Sequence, residues 1–104
     1  MHTRAVLDID SAYQTVIAVA VGMPAFTTDD VWARLGEASD GRAIANALLR
    51  AEAEGRIRNS RIGVYLRGRQ KHRRWIAVWL SLSRGASDDD AFTYARSAMS
   101  LAPP

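Results

Sequence analysis

The feature that most limits how this chain can fold is the stretch from Arg56 to Arg84. It holds nine basic residues and no acidic one. A charge run of this kind is a solvated face. Yet the same stretch carries Ile57, Ile62, Val64, Tyr65 and the run Trp75-Ile76-Ala77-Val78-Trp79-Leu80, a composition with high strand propensity. Two strands joined by a long basic connection, Arg67 to Arg74, reconcile the two facts, with Asn59, Gly63 and Gly68 as turn formers. In the second strand Trp75, Ala77 and Trp79 alternate with Ile76, Val78 and Leu80, so the three belong to one face.

The positive charge is confined to this block. Residues 1–55 carry four basic and eight acidic residues, and residues 85–104 carry Arg96 against Asp88, Asp89 and Asp90. The net +3 of the 104-residue chain therefore hides a +9 block between two acidic flanks. Thirteen of the fourteen basic residues are arginine and only Lys71 is lysine. A GC-rich genome explains that bias as well as selection for guanidinium chemistry does.

Length and composition bound the rest. A chain of 104 residues, 48% hydrophobic and 24% charged, is one small globular domain. The absence of cysteine excludes disulfides and thiolate metal sites, and with only His2 and His72 a histidine-rich metal site is excluded too. The apolar run Val16 to Val21, which no other run exceeds, is far short of the roughly 20 residues that span a bilayer. No signal-peptide pattern follows Met1. The expectation is a cytoplasmic protein without membrane contact.

Three helices are expected before the basic block. The first ten residues show no clear period and read as an extension. Ser11 caps a helix running toward Val21, with Tyr13, Val16, Ile17 and Ala20 on one side, although Thr15-Val16-Ile17 suits a strand equally. Gly22 and Pro24 break the element. Phe26-Thr27-Thr28-Asp29-Asp30 is a helix start, in which a threonine oxygen accepts free N–H groups and the aspartates sit near the positive helix end. Val31, Trp32 and Leu35 supply the buried face of this short helix, and Gly36 ends it. Ser39-Asp40-Gly41 opens the third helix. Its apolar stripe, Ile44, Ala47, Leu48 and Ala51, recurs at i, i+3, i+4, i+7, and Gly55 stands where a left-handed cap is wanted. After the block, Ser87 and three aspartates open a C-terminal helix, with Phe92, Ala95 and Met99 on one face.

Helix, short helix, longer helix and basic hairpin is the order of a winged helix-turn-helix domain. The segments FTTDDVW, RAIANALLRAEAEG and KHRRWIAVWLSL lie between Phe26 and Leu82. They resemble small winged helix-turn-helix proteins of actinobacterial phages and prophages. Those proteins share a phenylalanine-threonine-x-aspartate-aspartate-valine opening, an alanine-rich third helix closing on glycine, and a basic wing with a histidine and a closing tryptophan strand. The resemblance spans about half the chain. It implies an α+β winged-helix fold of three helices and a two-stranded basic wing; the N-terminal extension and the helical tail lie outside the resemblance. The corresponding divisions are an extension at 1–10, a winged-helix domain at 11–82 and a tail at 83–104. The role it implies is DNA binding in phage or prophage gene regulation, in the host cytoplasm.

With Ile44, Ala47, Leu48 and Ala51 facing the core, Arg42, Ala45, Asn46 and Leu49 share the exposed face of the third helix. Arginine can bond both acceptors of guanine and asparagine can pair with adenine, so Arg42 and Asn46, one turn apart, suit neighbouring base pairs in a major groove. The blander alternative is a solvated helix face. Arg56, Arg58, Arg61, Arg67, Arg69, Lys71, Arg73 and Arg74 are the candidate phosphate contacts; an arginine-rich edge strand that resists edge pairing explains them otherwise. His72 reads as a loop residue. Trp32, Trp75 and Trp79 read as core packing rather than stacking platforms. Asp29-Asp30 and Asp88-Asp89-Asp90 read as helix starts rather than metal sites.

No catalytic residue, cofactor or metal site is expected, and the chain does not read as an enzyme. Double-stranded DNA is the expected partner. Leu49, Glu52, Glu54 and the acidic first half favour the competing class, a module that binds and alters a host protein. The tail has two readings: its helix packs back on the domain, or Phe92 and Met99 pair with a second subunit.

Overall fold

A computed structural model describes the backbone of residues 4–36, 41–67 and 73–100, and the side chains of residues 10–36, 41–65 and 75–99. The elements run α1 (Arg4–Gly22), β1 (Ala25–Phe26), α2 (Thr28–Leu35), α3 (Gly41–Ala53), β2 (Ile57–Arg67), β3 (Arg73–Ser81), a short 3₁₀ turn (Leu82–Arg84) and α4 (Asp88–Ser100). Among the described residues the class is α+β: four helices and an antiparallel three-stranded sheet in the order β1-β3-β2.

The central strand β3 separates two apolar layers. On one face Trp79 is buried among α1 (Ala12, Val16, Ala20), α2 (Val31) and α3 (Ile44, Leu48, Ala51), together with Phe26 and Ile57. On the other face Ile76, Val78 and Leu80 pack with Ala25 and Val64 against Ala91 and Ala95 of α4. The period-2 alternation of β3 thus feeds both layers.

The first helix settles the ambiguity between helix and strand. It starts at Arg4, so the segment expected as an extension supplies its first turns and Ser11 lies inside it rather than capping it. Its C-terminal carbonyls are met from across the fold. Ser81 Oγ donates to the Ala20 carbonyl, and Arg84 donates to the Val21 carbonyl at 2.9 Å. A cation at a helix C-terminus also opposes the negative end of its dipole.

Two helices open on the same device. The Asp30 carboxylate accepts the Thr27 N–H at 2.8 Å, and the Asp90 carboxylate accepts the Ser87 N–H at 2.8 Å. A carboxylate three residues on reaches back to the amide before the helix, as in a capping box. Asp29-Asp30 and Asp88-Asp89-Asp90 accordingly occupy first helical turns. Gly36 ends α2 at φ 87°.

The predicted stripe of α3 is buried at all four positions, with Ala43 beside it. Gly55 closes the helix at φ 75°. Its N–H donates to the Glu52 carbonyl, and Arg56 N–H to the Ala51 carbonyl. That pair of bonds is a Schellman motif, which turns the chain from α3 directly into β2.

The hairpin is longer than expected. β2 continues to Arg67 and β3 resumes at Arg73, so the connection is shorter than Arg67 to Arg74. Asn59 and Gly63 are not turns between strands. They bracket a bulge in β2, where residues 60–62 oppose Val78 alone. Arg61 takes φ 68° there, the left-handed conformation that costs an L-residue roughly 1–2 kcal/mol. Side chains hold it: Arg61 N–H donates to Asn59 Oδ1 at 2.9 Å, Ile62 N–H to Ser60 Oγ at 3.0 Å, and Ser60 Oγ to the Val78 carbonyl at 2.7 Å. Bulges of this type bend and twist a strand.

The C-terminal helix packs back on the sheet, with Ala91 and Ala95 buried and Tyr94 half-buried. Phe92 and Met99 do not share that face as expected; both are exposed. Tyr94 reaches across to α2, where its hydroxyl donates to the Asp30 carboxylate and lies 3.1 Å from Thr27 Oγ1. Burial, and then the bond to Asp30, push the Tyr94 phenol above its ordinary pKa. Among the described residues no helix is long and apolar enough to cross a membrane.

Candidate nucleic-acid interface

The exposed side of α3 follows directly from its buried stripe. Burying positions 43, 44, 47, 48 and 51 leaves Arg42, Ala45, Asn46, Leu49 and Arg50 facing solvent, and Leu49 is 59% exposed. The three residues expected to present to a groove therefore share one accessible surface.

The C-terminal end of α3 is electrostatically self-contained. Glu54 accepts from the Tyr13 hydroxyl, pairs with Arg50 at 3.3 Å and pairs with Arg56 at 3.4 Å. The Arg50 guanidinium also lies 3.9 Å from the centre of the Tyr13 ring. The Tyr13 hydrogen bond, helped by the two arginines, holds the Glu54 carboxyl below its usual range, and the same bond raises the Tyr13 phenol. The negative charge of Glu54, a feature unfavourable to phosphate, is thus matched locally.

The basic block is less uniform in space than in sequence. Arg56 is engaged by Glu54, Arg58 by Asp88 at 3.0 Å, and Arg84 by the α1 terminus. The block does have compensating acids, contributed by the turn after α3 and by α4. Arg58 and Asp88 remain largely exposed, so their pair is weak in water. Arg61 is exposed at the bulge. Arg67 and Arg73 face each other in the backbone register, and Leu66 pairs with Arg74. Arg69, Lys71 and His72 lie outside the described residues, as does His2.

One aromatic departs from its expected place. Trp79 is buried and Trp32 is half-buried, but Trp75 is 69% exposed. Trp75 lies on the same strand face as Trp79, but the helical layer does not cover it. Tyr65, its register partner on β2, is also exposed, and the two rings sit 5.1 Å apart at 40°.

A cleft of about 490 Å³ opens elsewhere, between the end of α1, β1 and α4, lined by Met23, Pro24, Asp30, Asp90 and Tyr94 among others. Its carboxylates are the two that cap α2 and α4. Among the described residues no group of three His, Asp or Glu could hold a metal ion.

No family model matches the chain, and neither does any curated protein or solved structure.

Proposed function

We propose that the chain is a winged helix-turn-helix protein that binds double-stranded DNA and regulates phage or prophage transcription. In this reading α3 is the recognition helix and the β2–β3 hairpin is the wing. The observation that carries it is topological. The order α1-β1-α2-α3-β2-β3, with a sheet ordered β1-β3-β2, leaves an exposed polar face on the helix immediately preceding a basic hairpin. Arg42, Asn46 and Leu49 would meet base edges. Arg61, Arg67, Arg69, Lys71, Arg73 and Arg74 would hold phosphates, contacts that position the protein without reading sequence. Arg56 and Arg58 contribute less, because Glu54 and Asp88 already oppose them. Affinity then comes chiefly from the hairpin, and sequence preference rests mainly on Arg42 and Asn46, the two of these that can hydrogen-bond base edges.

The test is binding of the full chain to a labelled random-sequence duplex, measured by anisotropy from low to moderate salt. Binding that weakens steeply with salt supports the reading, and no binding even at low salt removes it.

A second reading has its own observation. Leu49 is an exposed leucine at the centre of the α3 face, and Arg56 and Arg58 are matched by acids. A face of that kind suits a groove on a host protein. Pull-down from host lysate with and without nuclease separates the readings, because a single host protein retained after nuclease favours the second.

A further inference from the structure

We propose that Tyr65 and Trp75 form a stacking site for unpaired bases, so that the DNA recognised is a duplex adjoining a single-stranded segment. The inference rests on the nucleic-acid reading of the basic hairpin and names the substrate more closely.

Four observations carry it. First, a tryptophan 69% exposed and a tyrosine 42% exposed stand side by side on one strand face, outside both buried clusters. The core on that face ends at Trp79, one Ala77 step away along β3. Second, the pair is set in place. Tyr65 and Trp75 are register partners, and their rings lie 5.1 Å apart. Third, Gly63 provides the floor. A Cβ at Gly63 would come within 3.4 Å of Trp75 Cε3, so the indole covers a backbone position that has no side chain. The exposure of Trp75 shows that much of the ring remains open to solvent.

Fourth, the surroundings select the occupant. The nine residues between Tyr65 and Trp75 include five cations and no acid. Aromatic rings on a hairpin whose connecting sequence is basic and without acids match a ligand that combines flat apolar faces with a polyanionic backbone. Single-stranded nucleic acid is that ligand, because its bases are free to stack while cations track its phosphates. A paired duplex hides its base faces and could use the cations only. The pair stands on the side of the sheet that carries α3, since Trp79 packs among α3 residues from the same strand face. A duplex on α3 and a strand on the aromatic pair would therefore occupy one side of the molecule.

The experiment compares three labelled DNAs against the full chain at one salt concentration: a blunt duplex, the same duplex with a single-stranded overhang, and the single strand alone. The overhang duplex is expected to bind most tightly. Trp75→Ala should weaken overhang and single-strand binding roughly tenfold, leave the blunt duplex unchanged, and leave the melting temperature close to that of the parent. Tyr65→Ala should act in the same direction and Trp75→Phe should retain most of the binding. Indole emission should be quenched by the single strand, and Trp75→Phe should remove most of that quenching. Equal losses on all three DNAs, or no loss on any, would overturn the inference. Blunt-duplex binding without added affinity for the overhang would overturn it while leaving the duplex reading intact. Single-strand binding that needs Trp75, without duplex binding, would keep the stacking site and remove the duplex reading. Absence of binding to all three overturns both.

Discussion

Replacing Arg61 with alanine removes a hairpin cation that no acid opposes among the described residues. The structure allows its effect to be counted. Of the nine basic residues in the block, Arg84 sits on the Val21 carbonyl, Arg56 on Glu54 and Arg58 on Asp88. Arg61 has no acid against it among the described residues, and Arg67, Arg69, Lys71, Arg73 and Arg74, whose side chains lie outside the described residues, complete the count from the sequence. Each phosphate neutralised contributes about −0.9 to the slope of log affinity against log salt, so these six predict a slope of about −5 on duplex DNA. Counting all eight from Arg56 to Arg74, as the sequence alone suggests, predicts about −7. With the smaller slope, a fourfold rise in salt weakens binding about a thousandfold. Arg61→Ala should flatten the slope by about 0.9, and Arg58→Ala should flatten it less, because Asp88 competes with phosphate for Arg58. Anisotropy of a labelled duplex across a sodium chloride series measures all three slopes. A parent slope near zero would refute the reasoning, and so would an Arg58→Ala effect as large as that of Arg61→Ala.

Other outcomes follow from the packing. Tyr94→Phe removes the hydroxyl that joins α4 to Asp30 and should cost about 1 kcal/mol, a fall of roughly 4–8 °C in thermal melts. Because the folded phenol titrates above its ordinary 10.0, its stabilising effect is complete below that pH and is lost as pH rises through the folded value. The gap between parent and variant should therefore narrow in alkaline melts, and a constant gap would contradict this. Tyr13→Phe should raise the Glu54 titration midpoint in NMR, since the Tyr13 bond is the main cause of its depression; an unmoved midpoint would contradict that. The stability linked to a depressed carboxyl is present at neutral pH and fades as pH falls through its folded pKa. Gly55→Ala should destabilise by about 1 kcal/mol in denaturant titration, from backbone strain alone, since no atom lies within 4 Å of the added methyl.

Legibility in the sequence followed the range of the forces involved. The α3 stripe and the alternation of β3 were readable residue by residue, because helix and strand periods are local. The starts of α2 and α4 were readable for the same reason, through a threonine or serine followed by aspartates in the first turn; that Asp30 and Asp90 reach back to the preceding amide is seen only in the structure. The two-residue strand β1 was not readable: it is too short for a period and exists through pairing with Leu80 and Trp79. The bulge was missed because Asn59 and Gly63 carry the same residue preferences as turns. The ion pairs of Arg56 and Arg58 join the basic block to acids outside it in sequence, which a count along the chain cannot see. Trp75 and Trp79 share one strand face, so the sequence pattern groups them. Which of them is covered depends on how far the helical layer extends, a tertiary property. Arg42, Asn46 and Leu49 were readable as an exposed face because exposure there is the complement of a local stripe.

The most direct test of the account is an NMR titration of the isotopically labelled full chain with duplex DNA at low salt. The predicted result is shift changes concentrated at Arg42, Asn46 and Leu49 of α3 and along the hairpin from Arg61, with Phe92 and Met99 of α4 unmoved. Changes confined to α4, or none at any DNA concentration, would contradict it.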